Sequence, residues 1–437
     1  METSQSWIAN VEILNSLLRK ESWFNTFWAK FSGNVDISER DNGNLSFTPS
    51  GKPIEVLNSF VSQGRDNMLI PFIKQLTGSP VYGDTVLKGT GEDQSMNWLR
   101  SYVNQYRKAV MKKSGSMSEQ RQKIFKLYDE ARPQLADWFT KWENQAIFET
   151  FYNGVSVNLS TGTGGDGLGL AKRYHPNWYE CTGAGVLAAI GTEKAFKTNA
   201  QLDVALGTTA ADDATADTAI SAALLRTLRV KCMELKIPQI QTSGGDKFWA
   251  MVVHPQQMET LMADDDIQNI YKYGNMGKGI NSLQEVTGSV IHYAGFCIYE
   301  DIVGIREWDE TNSTFMGTTT SARFDMSAIT RHADAITAGT RVYNAIVFGN
   351  SAMGKGVAKD LSFTDEVDDH KNTVEIGGAL INGYNRADFV VEGVSGDSSG
   401  GATANVFSKG NAAVTEYDTA TLATNQSSLI FATTETV

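Results

Sequence analysis

Residues 116–152 predict a single long amphipathic helix, and this feature constrains the fold more than any other. Ser116 and Glu119 have the spacing of a capping box, and apolar side chains then recur at helical intervals as far as Ala146. At 1.5 Å per residue such a helix is roughly 50 Å long, which indicates an elongated protein. Pro133 lies inside it, and because proline cannot donate the helical hydrogen bond we expect a kink or a division into two helices there.

The first 31 residues predict an aromatic amphipathic arm that ends at Gly33. Its leucine and aromatic residues recur at helical spacing, and tryptophan and phenylalanine are favoured anchors of protein interfaces. The arm can therefore dock on a neighbouring chain, or it can pack into the core of its own chain. The sequence leaves both alternatives open.

An extended region follows the arm. The polar run over 77–97 contains four glycines, which predicts a glycine-rich hairpin or a long loop. The alternation from Trp98 to Met111 then predicts a strand.

The middle of the chain has α/β character, and the C-terminal part differs from it in composition. The predicted elements are a helix capped by Asp217, a buried strand over 247–253 that stops at His254-Pro255, a short helix over 256–263, a strand over 290–299, and an apolar run over 342–348 that fits a strand or a helix. Residues 395–437 are rich in Ser, Thr, Gly and Ala and predict a tail or a small β element, with strand character over 428–433.

Composition excludes several functional classes. The 437 residues include 50 Asp and Glu against 38 Lys and Arg, a net charge of −12, which disfavours a dedicated nucleic-acid binder but still permits a wall that encloses nucleic acid. The three cysteines are far apart and predict neither a disulfide framework nor a structural zinc site. No stretch approaches the roughly 20 apolar residues of a membrane-spanning helix, and we expect no secretory signal.

Three short motifs resemble catalytic or nucleotide-binding loops without their essential parts. Gly349 to Lys355 matches a phosphate-binding loop, but Gly356 stands where the magnesium-binding hydroxyl is required. The glycine pattern over 162–167 meets Pro176 too soon for a dinucleotide-binding helix, and the one over 396–400 precedes a Gly/Ala/Thr tail instead of a helix. The histidines are never spaced as metal ligands. We therefore predict no catalytic, cofactor-binding or metal-binding residues, and a protein that is not an enzyme.

The order and spacing of several segments resemble the major capsid proteins of tailed bacteriophages, in particular short-tailed phages of the N-four type. The similarity covers roughly residues 53–391. The segments that carry it are Leu76 to Gly78, Gly83 to Glu92, Met117 to Arg121, Glu130 to Trp138, Met251 to Pro255, Asn344 to Gly356 and Glu375 to Phe389.

This resemblance implies an α+β protein with the tailed-phage capsid fold (Johnson, or Hong Kong-type). The expected parts are an N-terminal arm over 1–52, an extended loop with flanking strands over 53–115, a peripheral domain with the long spine helix over 116–174, an axial α/β domain over 175–340, a return to the peripheral domain over 341–394, and a C-terminal tail over 395–437.

It also implies a structural protein of the virion, assembled in the host bacterial cytoplasm. Pentamers and hexamers of this chain are expected to form an icosahedral head around double-stranded DNA, without cofactors, membrane contact or sequence-specific DNA contacts. Other expected partners are a portal, decoration proteins and a separate scaffolding protein, because the similarity begins too early for a fused scaffold. The candidate contacts between subunits are Trp23, Phe24, Phe27, Trp28, Asp84, Leu87, Glu92, Arg121 and Arg132.

Two alternatives remain open at this stage. An encapsulin-type nanocompartment would share the fold but hold protein cargo, so its nucleic-acid content distinguishes it from a phage head. A nucleotide-binding enzyme that uses Gly349 to Lys355 is the other.

Overall fold

A computed structural model of the protein describes part of the chain. The described residues are 27–39, 45–48, 50–57, 67–73, 80–83, 88, 91, 96–111, 127–154, 156, 175, 177–183, 186–189, 219–242, 245–274, 290–301, 308–309, 314–315, 340–368, 373–390, 423–425 and 427–436.

These residues form short helices, one long helix and many strands. The helices are a 3₁₀ turn (Phe27–Phe31), α1 (Leu127–Asn153), α2 (Ala222–Glu234), α3 (Pro255–Ala263) and α4 (Asp265–Gly274). The strands are β1 (Ser32–Asn34), β2 (Asp36–Glu39), β3 (Leu45–Thr48), β4 (Ile54–Leu57), β5 (Asn67–Ile73), β6 (Met96–Tyr102), β7 (Asn104–Met111), β8 (Trp178–Gly183), β9 (Val186–Ala189), β10 (Ile240–Gln241), β11 (Lys247–Val253), β12 (Ile291–Tyr293), β13 (Phe296–Glu300), β14 (Trp308–Asp309), β15 (Thr314–Phe315), β16 (Thr340–Phe348), β17 (Met353–Asp368), β18 (Thr373–Arg386), β19 (Asp388–Val390), β20 (Ala423–Asn425) and β21 (Ser428–Thr436).

The smaller sheet has five strands in the order β1-β4-β17-β18-β7. Burial alternates along β18, where Ile376 and Leu380 point into a core shared with Leu135 and Phe139 of α1. Gly378 lies under the helix, and a Cβ there would come within 2.5 Å of the Phe139 ring. Glycine at this position lets α1 lie close on the sheet, so one face of the sheet is covered by the long helix.

The larger sheet has eight strands, with β12-β13-β11-β16-β21-β8-β9 side by side and β10 paired to β11. Successive residues of β11 point into two different cores, as the alternation of a strand requires. Ala250 and Val252 face the core that contains α1, whereas Met251 and Val253 face a core that contains Leu228 of α2 and residues of α3. The larger sheet is therefore covered on both faces.

Several predicted elements are confirmed. The strand Lys247–Val253 ends at His254-Pro255 and the short helix follows at once, where the His254 ring accepts a hydrogen bond from the Gln256 N–H at 3.2 Å. The apolar run after 340 is a strand. β5 and β6 pair antiparallel on either side of the glycine-rich region, which agrees with the hairpin of the two alternatives given for it.

Four details of the prediction are wrong. The stretch from Trp98 to Met111 forms two strands and not one, since β6 ends at Tyr102, β7 begins at Asn104, and the two strands belong to different sheets. Of the two outcomes expected at Pro133, the division into two helices does not occur, since α1 continues through it; the proline is exposed, and the turns that follow it pack against the smaller sheet. The cap of α2 is Ser221, whose hydroxyl accepts a hydrogen bond from the Leu224 N–H at 3.2 Å, and not Asp217, which lies outside the described residues. The stretch 290–299 forms two strands, because Ala294 and Gly295 both adopt positive φ and reverse the chain.

The C-terminal segment has a larger role than a tail. β21 lies between β16 and β8 inside the larger sheet, and it pairs with β16 along nine residues from Thr340–Thr436 to Phe348–Ser428. The last residues of the chain thus complete the core. Within the described part of the chain, no helix is long and apolar enough to cross a membrane.

Candidate functional site: the junction between the two sheets

The arm enters the structure at an aromatic cluster between α1 and the larger sheet. Trp28 has no exposed surface, and its ring centroid lies 4.9 Å from Phe148, 5.5 Å from Phe151 and 5.2 Å from Phe348. Phe27 packs beside it, with its ring 5.8 Å from Tyr299. For these two residues of the arm, the structure shows the packing within their own chain that the sequence left open.

Lys30 closes this aromatic cluster on the solvent side. Its Nζ lies 4.0 Å from the ring centroid of Tyr299 and 4.6 Å from that of Phe27, a distance at which the ring faces attract the ammonium group. Burial lowers the pKa of Lys30 from its usual value. The arm is thus held to the larger sheet by apolar packing and by a cation–π contact.

A buried ion pair lies at the C-terminal end of α1. Arg386 Nε and Nη2 donate to the two carboxylate oxygens of Asp388 at 2.8 and 2.7 Å, and both side chains are fully buried. The Nη1 group of Arg386 donates to the carbonyl oxygens of Phe151 and Tyr152. These carbonyls belong to the last turn of the helix, where they lack helical partners and attract positive charge. Arg386 therefore caps the long helix from the smaller sheet.

Asn425 connects this ion pair to the C-terminal strand. Its Nδ2 donates to Asp388 Oδ1 at 2.9 Å, and its Oδ1 accepts from the N–H groups of Ser427 and Ser428 at 2.9 and 2.8 Å. The side chain of Asn177 donates in turn to the Asn425 and Ser428 carbonyls at 2.5 and 3.1 Å. One hydrogen-bond network thus fastens α1, the smaller sheet and the first residues of β21 together.

A buried histidine and serine in this network resemble a catalytic dyad, but their hydrogen bonds exclude that function. His175 Nε2 lies 2.7 Å from Ser428 Oγ, and its Nδ1 accepts the Asn177 N–H at 3.1 Å. Because Nδ1 is the acceptor, Nε2 carries the proton and cannot take one from the serine. Burial, followed by the nearby Arg386, moves the pKa of His175 well below its usual value. His175 is therefore a neutral structural donor.

A second polar cluster lies between α1 and the strands β17 and β18. Glu143 Oε1 accepts from Lys355 Nζ at 3.3 Å, from Asn382 Nδ2 at 3.0 Å and from the Tyr384 hydroxyl at 3.3 Å. Burial, and then the charge of Glu143, raise the pKa values of Tyr106 and Tyr384 well above their usual range. The carboxylate therefore accepts from three groups in an apolar setting.

The position of Lys355 removes the nucleotide-binding alternative. A phosphate-binding loop needs a following helix whose N–H groups face the phosphates. Here Lys355 belongs to β17, a strand that begins at Met353, and its ammonium group is buried against Glu143. The motifs over 162–167 and 396–400 lie outside the described residues, as do His332 and His370. In the described segments, no group of three metal-ligating side chains comes together.

The structure describes three of the nine predicted contact residues. Phe27 and Trp28 lie in the aromatic cluster, and Arg132 is half-buried in α1. The other six lie outside the described residues: Trp23, Phe24, Asp84, Leu87, Glu92 and Arg121. None of the three described residues belongs to the two polar clusters. Sequence reasoning missed these clusters, although the close spacing of Arg386 and Asp388 was visible.

Comparison with known proteins identifies what this architecture resembles. A family model described as "Phage capsid protein" matches residues 27–406. No curated protein sequence matches the chain.

Solved structures with similar folds are phage capsids. The capsid of Ralstonia phage GP4 aligns with a TM-score of 0.56 at 13% identity, over 92% of this chain and 93% of that chain. The cyanophage Pam1 capsid gives 0.53 at 15% identity, over 94% and 92%. The capsid of Helicobacter pylori bacteriophage KHP30 gives 0.54 at 12% identity, over 94% and 91%. At such identities the similarity establishes the fold.

Proposed function

Because the chain belongs to the phage capsid protein family and is a structural major capsid protein of the virion, we propose that its pentamers and hexamers close an icosahedral head around double-stranded DNA. The observation that carries this proposal is the extent of the family match. Residues 27–406 include the end of the arm, the long helix and both strands of the long hairpin β17–β18. The match therefore applies to most of the protomer and not to one motif.

We propose that the two sheets form the two domains expected of such a shell. We assign the smaller sheet with α1 to the peripheral domain and the larger sheet with α2 and α3 to the axial domain. In this assignment β16 and β21 belong to the axial domain, since both lie in the larger sheet. The peripheral return then begins at β17.

The region between β5 and β6 is proposed as the loop that reaches a neighbouring subunit. Tyr82 in this region has 78% of its surface exposed, which suits a residue that becomes buried on assembly. We place Asp84, Leu87 and Glu92 in the same contact, with Arg121 and Arg132 of the neighbour's helical region opposite, and Trp23 and Phe24 in contacts of the arm. At about 25 cal/mol per Å² of apolar surface, modest contacts repeated over many copies give a stable shell.

The charge of the chain suits a container and not a DNA reader. A net charge of −12 repels phosphates, so we propose that the packaged DNA is confined without sequence-specific contacts. A separate scaffolding protein, a portal and decoration proteins complete the proposed set of partners. No cofactor or catalytic step enters this function.

Assembly of the purified chain tests the proposal. Negative-stain microscopy with light scattering, with and without a crowding agent or scaffold, should show capsomers or uniform shells. Shells isolated from infected cells should contain double-stranded DNA, whereas protein cargo without nucleic acid would indicate a nanocompartment. A monomer or dimer under every condition contradicts the proposal.

A loop variant tests the proposed contact. The triple variant D84A/L87A/E92A should remain folded and lose assembly, because it removes the proposed anchor and changes no residue of the described core. The control T227A changes an exposed residue of α2 and should assemble normally. Normal assembly of the triple variant would exclude these loop residues as the contact.

A further inference from the structure

A lysine amine, an asparagine carboxamide and a glutamate carboxylate meet in the interior under α1. Lys355, Asn382 and Glu143 expose 7%, 2% and 8% of their surfaces. Lys355 Nζ and Asn382 Nδ2 both donate to the same oxygen, Glu143 Oε1, at 3.3 and 3.0 Å. One carboxylate oxygen thus holds the amine and the carboxamide close to each other.

The strand register keeps the lysine and the asparagine on one face of the sheet. β17 and β18 are antiparallel, with Lys355 opposite Tyr384 and Val357 opposite Asn382. Lys355 and Asn382 are therefore diagonal neighbours on adjacent strands, a separation that long side chains bridge. Glu143 approaches the same face from the helix, so the three groups come from three separate elements and their relative positions are fixed by the packing.

The surroundings of the cluster are aromatic and buried. The Tyr106 and Trp142 rings lie 4.0 Å apart between their centroids beside Glu143, and the fully buried Tyr384 donates its hydroxyl to the carboxylate at 3.3 Å. Exclusion of water strengthens the electrostatic interactions among these groups and protects a reactive intermediate from hydrolysis. Fixed proximity also replaces the entropy cost of bringing two reactants together.

We propose that Lys355 and Asn382 form an isopeptide bond within each chain, with Glu143 as the proton carrier. The lysine ammonium gives a proton to Glu143, and the amine lone pair then attacks Asn382 Cγ. Glu143 passes this first proton to Nδ2, then takes a second proton from the attacking nitrogen and gives it to the departing nitrogen. The Cγ–Nδ2 bond breaks as the Nζ–Cγ amide remains, and nitrogen leaves as ammonium while Glu143 returns to its carboxylate form. No oxidant or reductant takes part.

The bond fastens the two longest strands of the smaller sheet to each other. It closes the chain between 355 and 382 covalently, directly beneath the long helix. A crosslink at this point limits the freedom of the unfolded chain and resists separation of the β17–β18 hairpin.

Intact mass spectrometry of the denatured full-length chain tests this directly. The expected mass is about 17 Da below that of the sequence, since one ammonia is lost. Trypsin should then release a branched peptide that joins 342–359 to 372–386, with no cleavage after Lys355. A wild-type chain at its full sequence mass overturns the proposal without any variant.

Variants assign the chemistry to the cluster. E143Q is nearly isosteric and should restore the full mass, because it removes the proton carrier. The matched control is E149Q, which changes another buried glutamate of α1 whose partner is Gln145; it should keep the loss. An E143Q chain that still contains the branched peptide would show that Glu143 does not carry the proton.

One other reaction gives the same mass change and must be distinguished from the crosslink. Asn382 precedes Gly383, and an Asn-Gly pair can lose ammonia by forming a cyclic imide with its own backbone. K355R removes the attacking amine and should return the chain to full mass under the proposal. A loss that persists in K355R, without a branched peptide in the wild type, assigns the change to the imide and overturns the crosslink.

Discussion

The two sheets of the protomer are buried differently. Every residue of β11 from Phe248 to Val253 is buried, because the larger sheet has a core on each face. Along β7 of the smaller sheet every residue is exposed or half-buried, since α1 covers only one face of that sheet. A strand covered on both faces is a continuous apolar run, whereas a strand covered on one face alternates. This difference in burial explains why the strands of the larger sheet were easier to recognise from apolar runs.

The sheets also stabilise buried carboxylates in different ways. At the smaller sheet, the carboxylates pair with cations: Glu143 of α1 faces Lys355, and Asp388 of β19 faces Arg386. In the larger sheet, Glu435 is fully buried and accepts from the Ile220 N–H and the Thr433 hydroxyl, both at 2.9 Å. Neutral donors offset burial only in part, and burial raises the pKa of Glu435 to about 7.

The largest expected effect comes from removal of the C-terminal strand. A chain that ends at Ser427 lacks β21, so β16 and β8 lose the strand between them and both cores open to water. We expect loss of cooperative unfolding and recovery of the protein in the insoluble fraction. The control is a chain that ends at Thr436, which should behave as the full-length protein in circular dichroism and urea titration. A soluble, cooperatively folded chain ending at Ser427 would show that the larger sheet stands without its C-terminal strand.

Loss of the ion pair at the junction should be the next largest effect. R386M leaves Asp388 buried without its cation and the last carbonyls of α1 without their donor, at a cost of about 3–5 kcal/mol in the free energy of unfolding. Urea titration of the unassembled chain measures this cost. K141M is the control, because the Lys141–Asp137 pair is exposed on the same helix and such pairs contribute about 0–1 kcal/mol. Equal losses in the two variants would mean that the junction ion pair is no more important than a surface pair.

The smallest of the three effects is a pH dependence assigned to Glu435. Its pKa is raised from 4.5 to about 7 in the folded chain, so the folded state binds the proton more tightly than the unfolded state. The stability from this proton is complete below the unfolded pKa and is lost as the pH rises to about 7. The loss is roughly 3 kcal/mol for this shift.

E435Q isolates this contribution from the other carboxylates. The variant cannot titrate, so its free energy of unfolding should fall less between pH 4.5 and 8 than that of the wild type. Urea titrations at several pH values in this window measure the difference. Parallel pH profiles for the two proteins would contradict the assignment to Glu435.

Several strands of the larger sheet were predictable, whereas in the smaller sheet only the stretch that contains β7 was. Apolar runs predicted β11 and part of β21, and they left β16 open as a strand or a helix. The long strands β17 and β18 contain glycines and acidic residues, because one face of their sheet is not buried. At the start of β17 the sequence offered only an incomplete phosphate-binding motif, and no strand was predicted for either segment. The glycine that permits close helix packing, Gly378, has no local signature.

The junction could not be predicted for a related reason. Arg386 and Asp388 are two residues apart, but their partners Phe151 and Asn425 are distant in the chain. Local pattern carries no information on such pairs. The same holds for Trp28, whose sequence context permitted either an interface or a core.

The sequence by itself determined the existence of the long helix, the buried strands and the family resemblance, since each depends on the local order of apolar residues and on motif spacing. The tertiary structure alone decided that the final strand completes the larger sheet, that Ser221 caps α2, and that two buried polar clusters join α1 to the strands. Hydrogen bonds and ion pairs in the interior stabilise the fold only where distant segments bring matched partners within about 3 Å. That condition is met by the packing of the whole chain, which no local stretch of sequence contains.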